Sequence, residues 1–498
     1  MTVGRTCNTN SAKRRLVNKT ISNKHTQSKM YGNKDYWFLV MQGTSNIIKF
    51  TDLSIGSSGN IYLSGTIGST QFYFNKIDRY GNIVYQRMVN GGGSGRGIDT
   101  DSSGNLYLLD TASQVIKINE AGDTIIWARG IGSVVSQARG ISVDPITGNV
   151  FVGIIPSWNS SGAANGFIGY TSDGTYIPGK TFWHGIDGNG LSNGTTSTIL
   201  RGIAARDGGV YLNGYGGRAN QYNSLDNGSE TKRVFTTRYA QSTGSSWQKY
   251  LKEQWSLATS EYSIYGSGIA VDSSNNSYVS YYRNPSAYRG WSSGNGFIAK
   301  YNSAGSLLWQ TSASPIMAKN DITVDTDGNV YIIGNFSTSS GLAFGDIYSG
   351  GTYLEVFIAK YDTSGNLIWA RSLSHTGGYF EAYTIKVDSN SIFICGNVGG
   401  SISSGGTSGF VAKLPKDGSG LGVCLPFIYK KADNYGASAS AFDVPSMSSS
   451  IVYAGGTGFN DYVADGVLSS TAPYTGSALS GISTSTIAKE STLTILNI

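Results

Sequence analysis

The sequence has 498 residues, of which 14% are charged, 68 are glycine and 9 are proline. Ser, Thr, Asn and Tyr are frequent, which excludes a mainly helical protein and favours short strands joined by tight turns. Three cysteines are too few for a disulfide scaffold. The net charge of +6 is concentrated in the first 34 residues, which hold eight basic side chains and no acid. The rest of the chain is nearly neutral, so we expect no specific nucleic-acid partner.

Residues 1–34 show no hydrophobic period, and we predict an extended basic arm that attaches the protein to a neighbouring subunit. The residues expected to dock are Arg5, Lys13, Arg14, Arg15, Lys19 and Lys24. No apolar segment follows these basic residues, and no apolar run of about 18 residues occurs elsewhere. The sequence therefore predicts neither a signal peptide nor membrane insertion.

The body of the chain consists of a repeated unit, which is clearest in its sixth copy. Residues 322–324 form an apolar strand, residues 325–329 read Asp-Thr-Asp-Gly-Asn, and residues 330–334 form a second apolar strand. After a loop, residues 357–361 and 367–371 give two further strands around a similar turn. Asp, Gly and Asn suit such turns because Gly and Asn accept positive φ and Asp caps its own backbone. The unit is therefore four antiparallel strands, A to D.

The same pattern recurs seven times, at a spacing of roughly 40–60 residues. The turns between strands A and B begin at Gly56, Asp101, Asp144, Asp207, Asp272, Asp325 and Asp388. Strands A and B are apolar on both faces, as expected when each sheet is sandwiched between two neighbours, and a Trp or Tyr in strand D can cover the sheet at its rim. Four strands at this spacing predict an all-β fold, a β-propeller of four-stranded blades.

The ends of the repeat region complement each other. Residues 36–41 and 47–50 match strands C and D, and residues 441–444 and 451–455 match strands A and B. We therefore predict an eighth blade made from both termini, with seven blades as the alternative. Residues 486–489 and 492–496 also resemble strands C and D, and if they complete the last blade, the N-terminal hairpin lies elsewhere. The propeller is assigned to residues 35–457, and residues 458–498 form a Ser/Thr/Gly-rich tail with a final strand.

These elements resemble the SBBP-type β-propeller repeat family. The resemblance rests on Asp-Ser-Ser-Gly-Asn-Leu-Tyr at residues 101–107 and on Phe-Ile-Ala-Lys-Tyr-Asp-Thr-Ser-Gly-Asn-Leu-Ile-Trp at residues 357–369, and it covers about residues 36–457. Such repeats occur in bacterial surface proteins and in tailed-phage virion proteins. The start Lys-Asp-Tyr-Trp-Phe-Leu at residues 34–39 is more similar to the phage structural proteins, so the resemblance implies a virion component.

Catalysis is not indicated, because only three histidines occur and neither a His-Glu-x-x-His nor a Cys-x-x-Cys motif is present. The segment that begins at Asp325 resembles half of a calcium loop, but other copies lack its second Asp, which favours a turn. We expect no cofactor, no metal site and no enzymatic activity. A propeller lyase or glycosidase is the enzymatic alternative.

The candidate binding residues are Arg96, Arg139 and Arg201, each followed by Gly and Ile at the start of strand A in consecutive blades. Strand A is innermost in a propeller, so three guanidinium groups can converge at one mouth of the central channel and bind a carboxylate, a phosphate or an acidic loop. Alternatively, each arginine pairs with a neighbouring Asp such as Asp99 or Asp144. The other repeats carry Ser267, Asn320 and Ala382 at the matching place.

The long connections between strands B and C are a second candidate surface. They cover residues 153–166, 214–232, 281–295 and 335–355. Tyr, Trp, Ser, Gly and Asn are abundant there, which suits contact with a partner or a glycan, although tolerated insertions in solvent-facing turns have the same composition.

Together these features favour a non-enzymatic structural or adhesion component of a tailed-phage particle, associated with the tail or a fibre. We expect multiple copies in a virion assembled in the host cytoplasm, the arm binding another virion protein and the loops binding a partner or a host-surface glycan. The alternative is a binding module that is secreted or displayed on a bacterial cell surface.

Overall fold

The computed structural model describes residues 18–22, 26–32, 36–43, 47–90, 92–131, 135–156, 164–183, 196–218, 232–251, 263–284, 295–312, 317–337, 354–375, 378, 380–399, 407–419, 422–424, 427–431, 483–486 and 494–496. These residues form 34 β-strands in seven sheets, which follow one another around a ring. None of them belongs to a helix long and apolar enough to cross a membrane.

The strands follow in chain order. Before the first blade come β1 (Asn18–Ser22), β2 (Thr26–Gly32) and β3 (Trp37–Gly43). Blade 1 contains β4 (Ile48–Ile55), β5 (Ile61–Ile67), β6 (Gln71–Ile77) and β7 (Ile83–Asn90). Blade 2 contains β8 (Gly95–Thr100), β9 (Leu106–Asp110), β10 (Gln114–Ile118) and β11 (Ile125–Gly130). Blade 3 contains β12 (Val135–Val143), β13 (Val150–Pro156), β14 (Ala164–Tyr170) and β15 (Tyr176–Trp183). Blade 4 contains β16 (Thr196–Arg206), β17 (Gly209–Arg218), β18 (Lys232–Ala240) and β19 (Ser246–Leu251).

The second half of the ring continues this order. Blade 5 contains β20 (Ser263–Val271), β21 (Ser277–Asn284), β22 (Asn295–Tyr301) and β23 (Leu307–Ser312). Blade 6 contains β24 (Met317–Val324), β25 (Val330–Ser337), β26 (Leu354–Tyr361) and β27 (Leu367–His375). Blade 7 begins with β28 (Phe380–Val387), β29 (Ser391–Val398) and β30 (Ser408–Pro415). The remaining strands are β31 (Gly422–Cys424), β32 (Phe427–Lys431), β33 (Ser483–Thr486) and β34 (Thr494–Leu496).

The ring closes in blade 7, where β3 pairs with β30 and supplies the missing strand D. The A strands contact one another in order from β4 to β28, and β28 contacts β4. The predicted all-β propeller is therefore confirmed, with the alternative count of seven blades. The preferred count of eight was wrong, because β3 is strand D of blade 7 and β4 is strand A of blade 1. The residues proposed for the other half of an eighth blade, 441–444 and 451–455, lie outside the described residues.

Hydrophobic clusters fill the space between each pair of neighbouring blades. One cluster joins blade 7 to blade 1, with Trp37, Leu39 and Phe393 on one side and Phe50 and Leu53 on the other. Comparable clusters lie between the other blades. Because each sheet is covered on both faces, the middle strands are buried along their length, as in β9, where four apolar residues and Asp110 are all buried.

The turn between strands A and B explains the repeated Asp and Tyr. In blade 6, Asp325 Oδ1 accepts the backbone N–H groups of Asp327 and Asn329 at 3.0 and 2.8 Å. Asp325 Oδ2 accepts the Tyr331 hydroxyl at 3.1 Å and the Lys416 ammonium at 3.0 Å. The carboxylate therefore holds the turn together, and its oxygen atoms are already occupied by protein donors.

Strand D of six blades carries an aromatic residue opposite a basic residue of strand C. These aromatic residues are Trp37, Tyr85, Trp127, Trp247, Trp309 and Trp369. The indole N–H groups of Trp127, Trp247 and Trp309 donate to the carbonyl oxygens of Ser172, Ser303 and Thr363, at 3.1, 3.0 and 2.9 Å. Each acceptor belongs to the turn between strands C and D of the next blade, so these residues link neighbouring blades.

Segments near both termini widen three blades. Strands β2, β1 and β34 extend blade 7 beyond β3, β32 and β31 extend blade 6, and β33 extends blade 1. Residues 18–22 and 26–32, which the sequence placed in an extended arm, thus pair as strands on the propeller. Residues 1–17 of the predicted arm lie outside the described residues.

Candidate functional site

Strand A of every blade contains a register irregularity against strand B. Such bulges redirect a side chain out of the regular alternation. At this irregularity, strand A contains a residue that has no register partner in strand B. At the equivalent place in blades 1 to 7 this residue is Thr51, Arg96, Arg139, Arg201, Ser267, Asn320 and Tyr383, respectively. The sequence assignment of Ala382 to this place in blade 7 was wrong by one residue, because Ala382 pairs with Gly396 and the bulge follows it.

The Arg-Gly-Ile motif gives each of its residues a separate role. A β-carbon on Gly97 would lie 3.0 Å from Ile141 Cγ2, and one on Gly140 would lie 3.1 Å from Ile203 Cγ2. Glycine is thus needed where the isoleucine of the next blade packs closely against the inner strand. The isoleucine packs in the space between two blades, and the arginine lies at the bulge, where strand A is out of register with strand B.

The structure brings the three predicted arginines together on blades 2, 3 and 4. Arg96 Nη1 donates a hydrogen bond to the carbonyl oxygen of Ala138, the residue before Arg139. Arg201 Nη2 donates to the Tyr215 hydroxyl at 3.0 Å, and its guanidinium carbon lies 5.4 Å from the centre of the Tyr215 ring. Burial and the positive charges of Arg96 and Arg201 lower the pKa of Arg139. The three guanidinium groups are therefore electrostatic neighbours.

The alternative ion pairs with Asp99 and Asp144 do not form. Asp99 accepts the N–H of Val143 at 2.8 Å, and Asp144 accepts the N–H groups of Asp207 and Gly208 at 3.0 and 2.7 Å. Neither carboxylate is ion-paired with any of the three arginines, and Arg139 Nε is buried without a hydrogen-bond partner among the described residues.

The arginines lie near one end of the ring. Gly95, which precedes Arg96, pairs with Asp110, the last residue of strand B in blade 2. The connections from strand B to strand C leave from this end in every blade, including the long ones of blades 3 to 6. Residues 157–163, 219–231, 285–294 and 338–353 of those connections lie outside the described residues.

Sequence reasoning missed a charged cluster deeper in the channel. Asp52, Asp99 and Asp321, from blades 1, 2 and 6, each accept a backbone N–H of the next blade, at 2.8–3.1 Å. Their negative charges act on Lys386 of blade 7: burial lowers the pKa of Lys386, but the three carboxylates outweigh this effect and raise the pKa overall. Cys395, a free and fully buried thiol, adjoins the cluster. The only sequence signal for this cluster was that each of its members is a charged residue at a strand A position where other repeats carry Gly, Ser or Ala.

Asp52 gives this cluster a measurable pH dependence. Burial raises its pKa to about 6, against the opposing effects of the Lys386 charge and of the Ile98 N–H. An aspartate whose pKa is higher in the folded than in the unfolded state favours folding when it is protonated, so this contribution is present below about pH 4 and is lost as the pH rises through about 6.

The free energy of unfolding is therefore expected to fall by about 2 kcal/mol more between about pH 4 and pH 7 in the wild type than in Asp52→Asn. Part of the full effect is lost because the side chain retains accessible surface in the channel. Urea unfolding of both proteins across this range measures the difference. Parallel pH profiles would contradict a raised pKa for Asp52.

Most of the proposed docking residues lie outside the described part of the chain, namely Arg5, Lys13, Arg14, Arg15 and Lys24. Lys19 lies in β1, where its backbone pairs with Met30 of β2 and Ile495 of β34. Docking through these residues stays a prediction.

The closed ring of four-stranded sheets defines the chain as a β-propeller repeat protein. The model of the SBBP family, described as a β-propeller repeat, matches residues 254–280, which confirms the predicted repeat type. An uncharacterized WD repeat-containing protein of Acanthamoeba polyphaga mimivirus is 30% identical over 112 residues, or 20% of this chain and 8% of that protein. The chain thus spans a small part of that relative's length. The resemblance to tailed-phage virion proteins stays a prediction.

Solved structures with a similar fold include BamB from Moraxella catarrhalis, at 10% identity and a TM-score of 0.38, covering 79% of this chain and 100% of that chain. The structure of U3-55K has 11% identity and a TM-score of 0.45, covering 76% and 98% of the two chains. The WD40 β-propeller domain of Doa1 has 10% identity and a TM-score of 0.34, covering 65% and 90%. Such distant similarity concerns the fold and carries no information about function.

Proposed function

We propose that this protein is a non-enzymatic binding propeller that serves as a structural or adhesion component of an assembled particle, a tailed-phage tail or fibre. The observation that carries the proposal is that its charged residues fall into two groups with different contacts. The channel carboxylates bind neighbouring blades, whereas the three arginines at one channel mouth have no carboxylate partner among the described residues. A rigid ring with unused binding groups on one face suits recognition of a macromolecule.

An enzymatic role is less well supported by the same geometry. A general acid or base needs a side chain free to exchange a proton with a substrate. Asp52, Asp99 and Asp321 instead accept hydrogen bonds that join one blade to the next. Using any of them in a reaction would require breaking contacts that hold the ring together.

The proposal is tested by expressing the full chain in cells that produce the particle, isolating particles by density and locating the chain by cross-linking and electron cryo-microscopy. We expect stoichiometric copies in the particle, with the N-terminal segment cross-linked to another particle protein and the arginine mouth facing outward. Recovery of the chain only as a free monomer, absent from washed particles, would contradict the proposal.

A further inference from the structure

The arginine mouth, defined by Arg96, Arg139 and Arg201, has the features of a specific anion site. We infer that it binds the carboxylate of an acidic side chain on a partner polypeptide. The inference deepens the proposed binding function and rests on it. Its basis is the arrangement of three guanidinium groups from three consecutive blades at the same structural position.

Arg139 occupies the central place and keeps hydrogen-bonding capacity unused. Its Nε is buried and has no partner among the described residues, although buried polar atoms are normally hydrogen-bonded. Its neighbours are already oriented, Arg96 by the carbonyl oxygen of Ala138 and Arg201 by the hydroxyl and ring of Tyr215. The outer two guanidinium groups are thus held in place beside a central one that still needs an acceptor.

The charges also need a counterion. Burial lowers the pKa of Arg139, and repulsion from Arg96 and Arg201 lowers it further. The charge of Asp110 raises the pKa of Arg96 against the larger lowering effect of burial, and the Asp110 carboxylate accepts the N–H groups of Gly93 and Gln114 at 2.7 Å each. A bound carboxylate would therefore offset mutual repulsion and accept the free Nε–H at the same time, with the planar fork geometry that arginine provides.

A polypeptide fits this mouth better than a sugar does. Carbohydrate recognition commonly uses an exposed aromatic ring, but Tyr215, the ring beside the arginines, is only 6% exposed and is covered by Arg201. Among the residues whose side chains the structure describes, the one largely exposed aromatic ring is that of Tyr80, at 55%, and it lies in a strand C–D turn at the opposite end of the ring of blades. An acidic loop needs no such ring, because its carboxylate alone supplies the complementary group.

The experiment measures fluorescence polarisation of a fluorescein-labelled glutamate-rich peptide with the full-length protein, beside a matching glutamine-rich peptide. We expect saturable binding of the glutamate peptide only, and weakening by about tenfold or more in Arg139→Gln, because a charge-assisted hydrogen bond is lost. Arg139→Lys keeps the positive charge but loses the planar guanidinium group, so its affinity for the glutamate peptide should lie between those of the wild type and Arg139→Gln. Circular dichroism verifies that each variant is folded. If Arg139→Gln does not fold, Arg139→Lys provides the test.

Arg206→Gln is the matched control, since Arg206 lies at the other end of the same strand β16 as Arg201 and its removal changes the net charge equally. Equal weakening by Arg206→Gln and Arg139→Gln would overturn the inference in favour of non-specific attraction. Displacement of the peptide by inorganic phosphate at concentrations where acetate has no effect would overturn it in favour of a phosphate site. A wild-type chain that enters particles but does not bind the peptide contradicts this inference and leaves the proposed function standing.

Discussion

Replacing Trp37 with alanine is expected to lower the free energy of unfolding by about 3–5 kcal/mol, the usual cost of truncating a buried tryptophan. Trp37 is fully buried in β3, the N-terminal strand that pairs with β30 as strand D of blade 7. Its ring lies against Phe393 of the same blade, at 6.5 Å between ring centres, and its indole N–H points to the carbonyl oxygen of Arg79 in blade 1, at 3.4 Å. The change therefore removes packing at the one place where the ring is closed without a covalent link.

Urea unfolding followed by tryptophan fluorescence and circular dichroism measures the effect. Trp309→Ala is the matched control, because Trp309 occupies the same position between blades 5 and 6 and donates to Thr363 in the same way. Trp309 is only partly buried, and its strand β23 follows its pairing partner β22 directly along the chain, whereas β3 and β30 pair without such a connection, so we expect a smaller loss there. A loss at Trp37 no larger than at Trp309 would show that β3 is not essential for closing the ring.

The error in blade number has a physical origin in the connections between strands. β3 ends at Gly43 and β4 begins at Ile48, a gap of the same length as that between β11, which ends at Gly130, and β12, which begins at Val135. The connection from strand D of one blade to strand A of the next thus has about the same length as a hairpin turn within a blade. Local pattern predicts the repeated strands of the blades and the seven strand A–B turns, but it does not distinguish pairing within a blade from passage between blades.

The candidate site was predictable to a different extent in its two parts. The arginines recur in the same local motif, so sequence alone placed Arg96, Arg139 and Arg201 on equivalent strands. The cluster around Lys386 has no such motif, because its members come from blades 1, 2, 6 and 7 and are single exceptions to the repeat. Only the closed ring brings residue 52 next to residue 386.

Lys386→Met is expected to destabilise the protein by about 1–3 kcal/mol at neutral pH, because it leaves the charges of three partly buried carboxylates without their cation. Lys386 is the common neighbour of Asp52, Asp99 and Asp321, each of which has a pKa raised by burial. These carboxylates also accept backbone hydrogen bonds between blades, so their repulsion acts directly on the contacts that join the inner strands. Methionine keeps the length and apolar stem of the side chain, so that loss of the charge is the main change.

A double-mutant cycle separates the charge effect from the packing effect. Asp52→Asn removes one of the three carboxylate charges while its amide oxygen can still accept the Ile98 N–H, now at 3.1 Å from Asp52 Oδ2. If Lys386 acts by neutralising this cluster, the double variant is more stable than Lys386→Met alone, and the interaction energy is of the order of 1–3 kcal/mol. Because the Lys386 charge lowers the pKa of Asp52, this pKa lies above about 6 in Lys386→Met, and the benefit should shrink as the pH falls below it. Additive effects at every pH would mean that Lys386 contributes by filling space in the channel, and the ring would then owe its closure to the apolar clusters between blades alone.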